Sequence, residues 1–194
     1  MSGRMTAEAF FEVLKTRRAI RSFTEEPVSD DDLWQIAQAG RWAANGGNLH
    51  PHRFLIVRDP RKIRLIRSFA PGMLVEPPAI VVLLTDHDAA KRLRWNLHNG
   101  SYIHWVDTGT SAQNMMNMAH ALGLGSCPVT SYSHSGVATV LGLPEQIEPE
   151  LLLMIGHPRP VERGLNPNAP KPITTRDLTF WEEVGRHDPG SSPG

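Results

Sequence analysis

A chain of 194 residues, 40% apolar and 21% charged, has the composition of one globular domain able to bury about 70% of its unfolded surface. Its 20 basic and 20 acidic residues cancel, which argues against whole-molecule attraction to nucleic acid or to an anionic membrane. A lone cysteine, Cys127, excludes an internal disulfide and suits a reducing compartment.

Met5 to Thr16 predicts a helix with Phe10, Phe11 and Leu14 on one side and Thr6 as N-cap. Glu8 and Glu12 interrupt the region where an export signal would be apolar, so a cytoplasmic protein is expected. The helix leads into Lys15 to Phe23, where Arg17, Arg18 and Arg21 fall close together. An arginine fork matches two oxygens of a phosphate at once, so the cluster either binds an anionic group or is a solvated basic turn. Ser29-Asp30-Asp31-Asp32 resembles a capping box, opening a second helix that runs to about Trp42. Asn45-Gly46-Gly47-Asn48 then forces a loop.

Arg53 to Val57 predicts a buried strand, and Ile63 to Phe69 a short helix. Ala79 to Thr85 is the clearest strand; its apolar run is far below membrane-spanning length. Asp86 to Gly100, with Trp95, follows no regular pattern. Tyr102 to Leu122 predicts a long helix apolar on more than one side, within which Asp107 is either a surface residue or, the reading preferred here, a buried acid paired with an arginine. Cys127 to Tyr132 predicts an extended segment, Ser135 to Leu143 a small helix, and Leu151 to Ile155 a third strand. From Gly156 onward the chain is proline-rich, with an apolar tip at Leu178 to Trp181. We therefore expect a single domain over 1–186, an extended arm over 158–186 within it, and a disordered tail at 187–194. Helices on both faces of a mixed, largely antiparallel sheet give an α+β class.

Familiar catalytic patterns are missing. Gly123-x-Gly125 follows a helix rather than a strand and lacks the third glycine of a dinucleotide fingerprint. No P-loop, no G-x-S-x-G elbow and no H-E-x-x-H occurs. Among nine histidines, His50 with His52 and His98 with His104 have spacings unsuited to a metal pair on one helix face, so no metal is expected. Cys127 lacks a legible His-Asp constellation, and the chain offers no side-chain acid, base or nucleophile as a catalytic residue. In a chain of this size that points to chemistry carried by a cofactor.

Five segments in order then resemble the FMN-dependent nitroreductase family. They are Arg17-Arg18-Ala19-Ile20-Arg21-Ser22-Phe23, Ala44 to Phe54, Gly123-Leu124-Gly125-Ser126-Cys127-Pro128-Val129, Ile155-Gly156-His157-Pro158 and Pro170-Lys171-Pro172. The resemblance implies a nitroreductase-like α/β/α sandwich that forms a homodimer with FMN at the subunit interface. Arg17, Arg18, Arg21, Lys171 and the Ala19 backbone would surround the phosphate. Asn45, Asn48 and His50 would approach from the other subunit. Pro128, Val129, Thr130 and Ser131 would lie beside the flavin ring. Asp86 to Gly100, with Trp95, is then either a lid shaping the substrate pocket or a plain surface loop. The implied activity is electron transfer from NADH or NADPH through FMN to a nitroaromatic, quinone or similar acceptor. Two alternatives share the cofactor: a specialised oxidase, dehalogenase or flavin-cleaving enzyme, and a non-catalytic FMN-binding module. Ala19, His50 and His52 depart from the family pattern, which has serine, glutamine and tryptophan there.

Overall fold

The computed structural model describes residues 5–91, 101–160 and 171–186. They fall into two units, within Met1–Val161 and Glu162–Gly194. Trp95 and the tail expected at 187–194 lie outside the described residues.

In the first unit, Thr6 caps α1 (Ala7–Thr16) by accepting the Ala9 N–H, and Ser29 caps α2 (Asp30–Arg41) by accepting the Asp32 N–H. A 3-10 turn at Gly46–Asn48 leads into β1 (His52–Val57). α3 (Pro60–Ser68) starts three residues before the predicted Ile63, because Asp59 caps it and Pro60 occupies a position whose N–H needs no partner. β2 (Ala79–Asp86) matches its apolar run. The region read as patternless then opens with a single helical turn, α4 (His87–Ala90), capped by Asp86. α5 (Ser101–Ala121), β3 (Gly125–Val129), α6 (His134–Leu141) and β4 (Ile147–Gly156) follow. β4 begins four residues before the predicted start, taking in the polar Glu148 and Glu150.

The strands lie in the order β1-β2-β4-β3, and all three pairings are antiparallel. Among the described residues the parallel component is confined to an isolated bridge between Ala19 and Ser126. β2 is buried on both faces. Ile80, Val82 and Leu84 join a core with Ile63 and Ile66 of α3 and Val137 of α6. Ala79, Val81 and Leu83 join a second core with Leu33 and Ile36 of α2 and Ala112, Met115 and Ala119 of α5. The period-2 alternation of side chains across a strand thus feeds two helical layers, giving an α/β/α sandwich. In the second unit, α7 (Thr175–Leu178) is a short turn with a reciprocal capping box between Thr174 and Asp177.

Candidate cofactor site

The basic stretch continues the sheet. β3 pairs with β4 on one edge only, and the chain at Ala19–Ile20 adds to its other edge, where the Ile20 N–H donates to the Ser126 carbonyl at 2.9 Å. Gly125 makes this approach possible. A Cβ there would lie 2.7 Å from Cγ2 and 2.8 Å from Cβ of Ile20, closer than carbon atoms pack. Arg17 to Arg21 is thereby fixed alongside Ser126, Cys127 and Pro128, two segments the sequence holds about a hundred residues apart.

The guanidinium groups differ in surroundings. Arg17 caps α1, reaches Met116 of α5 with Nη1, and has a buried Nε that finds no acceptor among the described residues. Arg18 is exposed, and its Nη1–H donates to the carbonyls of Lys15 and Arg17. Arg21 is exposed and stands beside the Cys127 sulfur. Burial pushes the Cys127 thiol up, and the neighbouring Arg21 charge and hydrogen bond only partly offset it. Cys127 is therefore a buried, inert thiol. Among the described residues no carboxylate lies in ion-pairing range of Arg17, Arg18 or Arg21. A phosphate dianion suits this donor set: one orphaned buried N–H and a cluster of positive charge that no carboxylate among the described residues neutralises.

β3 runs on into Thr130 and Ser131, both exposed. Their carbonyls are held: Thr130 O accepts the Tyr132 N–H, and Ser131 O accepts the Gly72 N–H at 3.0 Å. The Phe69 carbonyl accepts the Ser133 N–H one step further on. The turn at 128–131 is thus tied to the chain that follows α3, with Thr130 and Ser131 exposed just beyond the Ala19–Ser126 bridge.

The second group, Asn45, Asn48 and His50, is organised by α5. Both carboxylate oxygens of Asp107 accept the Gly46 N–H at 3.1 Å, and Thr110 Oγ1–H donates to the Ala44 carbonyl. This corrects the expectation of an arginine partner for Asp107: its donor is a backbone amide, and among the described residues no arginine pairs with it. The Asn45 side chain accepts the His50 N–H at 3.0 Å and lies 3.2 Å from His50 Nδ1. Gly47, Asn48 and His50 all adopt positive φ, at 60°, 55° and 49°. Glycine and asparagine tolerate this region; for histidine it costs free energy, and the Asn45 bonds hold it there. Asn48 and His50 are exposed. His52, next in line, stacks on Phe54 and has its pKa lowered chiefly by burial; Asp107 opposes the shift, while His50, Arg53 and His104 add to it.

Within one chain these two groups are separate. The loop is fastened to α5 at Asp107 and Thr110, the basic stretch at Met116 and, through Thr16, at His120. From Asp107 to Met116 the helix rises by roughly 13 Å. Lys171 is exposed in the second unit. The sequence reading missed Asp107 as the loop's anchor and Arg21 as the neighbour of Cys127. No local signal marks either contact, since each joins residues far apart in the chain.

Comparison with known proteins agrees with this architecture. A model of the Nitroreductase family matches residues 14–102 and 74–157. The chain is 29% identical over 189 residues to the FMN reductase (NAD(P)H) of Bacillus subtilis, covering 89% of this chain and 76% of that one. It is 29% identical over 179 residues to the NADPH-flavin oxidoreductase of Vibrio harveyi, covering 88% and 74%. A crystal structure of a nitroreductase family protein from Clostridium difficile superposes with a TM-score of 0.75 at 21% identity, covering 89% of this chain and 98% of that one.

Proposed function

The chain belongs to the nitroreductase family, and from that premise we propose that it is an NAD(P)H-dependent FMN oxidoreductase working as a cytoplasmic homodimer. Relatives bearing the names FMN reductase and NADPH-flavin oxidoreductase support the cofactor and the donor. The observation that carries the reading is the set of three guanidinium groups without a carboxylate partner among the described residues, with the Arg17 Nε–H left unsatisfied.

In this reading Arg17, Arg18, Arg21 and the Ala19 backbone hold the FMN phosphate, and the 128–131 turn supplies backbone beside the ring. Bound FMN supplies the redox chemistry, accepting hydride from a nicotinamide and passing electrons to a nitroaromatic, quinone or similar acceptor. The protein's part is to bind, orient and exclude water, with no dedicated acid or base. Cys127 has no part in turnover, because burial keeps it a thiol.

A second copy of the chain completes the site. α1 buries none of its residues within one chain, although it carries Phe10, Phe11 and Leu14. On α5, Trp105 and Val106 are exposed beside the residue that anchors the Asn45–His50 loop. Exposed apolar surface of this kind favours association, and covering it would bring that loop to the partner's flavin. Asn48 and His50 then contact the cofactor across the interface.

Anaerobic titration of the FMN-loaded protein with NADH and with NADPH tests the reading. Bleaching of the flavin absorbance, followed by its return on adding a quinone or nitroaromatic, is expected. A protein that takes up no FMN, or whose bound FMN neither nicotinamide reduces, contradicts it.

A further inference from the structure

Away from the basic stretch, elements distant in sequence bring histidines and glutamates together at one end of β4. Glu148 and Glu150 come from the start of that strand and His87 from the first residue of α4. The β2–β4 register slips there, Leu83 facing Leu151 and Leu84 facing Pro149, so Glu150 has no partner across the ladder. Such bulges re-aim side chains. His87 Nε2 lies 2.9 Å from Glu148 Oε2. One ring nitrogen of His87 and one carboxylate oxygen from each glutamate all fall within 4.8 Å of one another. Two more imidazoles border the group: His134 Nδ1 is 3.3 Å from Glu148 Oε1, and His104 Nε2 is 3.7 Å from Glu150 Oε1.

Glu150 supplies the independent observation. Its side chain is 4% exposed. Oε2 accepts the indole N–H of Trp105 at 3.1 Å, whereas Oε1 is buried and accepts no hydrogen bond from the described residues. A buried carboxylate oxygen left without a donor is unfavourable, and the nearest imidazole nitrogen is beyond hydrogen-bond reach. Nε2 of His104 stands 3.7 Å from Oε1, and one carboxylate oxygen of Glu150 belongs to the group of ligand atoms formed with His87 and Glu148. Glu148 is the better satisfied: burial pushes its carboxyl up, but the hydrogen bonds and charges of His87 and His134 outweigh that and hold it below its ordinary value.

We propose that His87, Glu148 and Glu150, none of them among the residues assigned to FMN, bind a divalent transition-metal cation, bordered by His104 and His134. Mixed imidazole and carboxylate donors suit zinc and its neighbours rather than calcium or magnesium. Ligand atoms about 2.0–2.2 Å from a tetrahedral zinc ion stand about 3.3–3.6 Å from each other. Closing the present spread to that size requires small rotations of two long glutamate side chains. The ion would neutralise both carboxylates and give Oε1 of Glu150 its missing partner. It would also tie α4 to the start of β4, a structural rather than redox role. The sequence concealed this site because the two glutamates lie 61 or more residues from His87, far outside any local ligand spacing.

The test is calorimetric titration of chelator-dialysed, full-length protein with zinc chloride, for the parent and for Glu150→Gln and His87→Gln. One zinc ion per chain with a rise in melting temperature is expected for the parent. Each substitution should weaken binding by about 100-fold or more, at or above the loss typical of supporting residues around a metal. Flavin content should be the same in parent and variants, which separates this outcome from any failure of the FMN reading. If Glu150→Gln does not fold, His87→Gln at its partly exposed position decides alone. Absence of zinc binding by the parent, or equal binding by the parent and the folded variants, overturns the proposal.

Discussion

Arg21 and Arg17, proposed to hold the FMN phosphate, differ in their surroundings, one exposed and beside a thiol, the other partly buried with an orphaned N–H. A charge-assisted hydrogen bond contributes about 1.5–3 kcal/mol, so Arg21→Ala or Arg17→Gln should weaken FMN binding by about 10- to 100-fold, read from flavin fluorescence titration. Asp107 acts at the opposite group. Replacing it by alanine leaves the Gly46 N–H without its acceptor, and the denaturant midpoint should fall by an amount equivalent to about 1–3 kcal/mol. His52 gives the pH dependence. Its folded pKa is lowered, chiefly by burial, so below the ordinary value of about 6.5 the unfolded chain takes up a proton that the folded one refuses. Stability should therefore fall as pH drops from that value toward the lowered one. The difference between parent and His52→Gln in urea melts across that window should show this slope; a difference independent of pH would contradict it.

At the scale of elements, the sheet edge decides where the charge goes. Gly125→Ala would press a methyl against Cβ of Ile20, an atom that no rotamer change can move. The Ala19–Ile20 bridge must then shift, and overpacking costs about 1–3 kcal/mol. Lower stability together with weaker FMN binding is expected, measured on the same preparation by urea melts and fluorescence. The elements themselves were largely readable. Ser29 and Thr6 announced their helices because capping is a local interaction, and Ala79 to Leu84 announced β2 because a strand buried on both faces is a continuous apolar run. α4 was not readable, since a single turn capped by Asp86 carries no period. The arginine partner expected for Asp107 was wrong for a related reason: a buried acid needs a donor, but nothing in the sequence distinguishes a guanidinium from a backbone N–H brought from 61 residues away. For the site, motifs gave the candidate residues, whereas the bridge joining Arg17–Arg21 to Ser126 came only with the fold.

Across the whole molecule, the account requires two chains. The exposed Phe10, Phe11, Trp105 and Val106 should be covered by a second copy, so sedimentation equilibrium should return twice the 21.5 kDa of one chain. Phe11→Glu combined with Val106→Glu should weaken the dimer and FMN binding together, because in the proposed dimer the Asn45–His50 loop reaches the cofactor across that interface. Loss of the dimer with undiminished FMN affinity would place the loop elsewhere. The claim beneath all of this is that the arginine stretch recognises a phosphate, and competition between two flavins tests it most directly. FMN and riboflavin share one ring system and differ by the phosphoryl group. The parent should bind FMN at least about 100-fold more tightly than riboflavin, and a variant with Arg17→Gln and Arg21→Ala together should lose most of that preference while keeping its riboflavin affinity. Equal affinity of the parent for the two flavins, or an undiminished preference in the variant, would contradict the account.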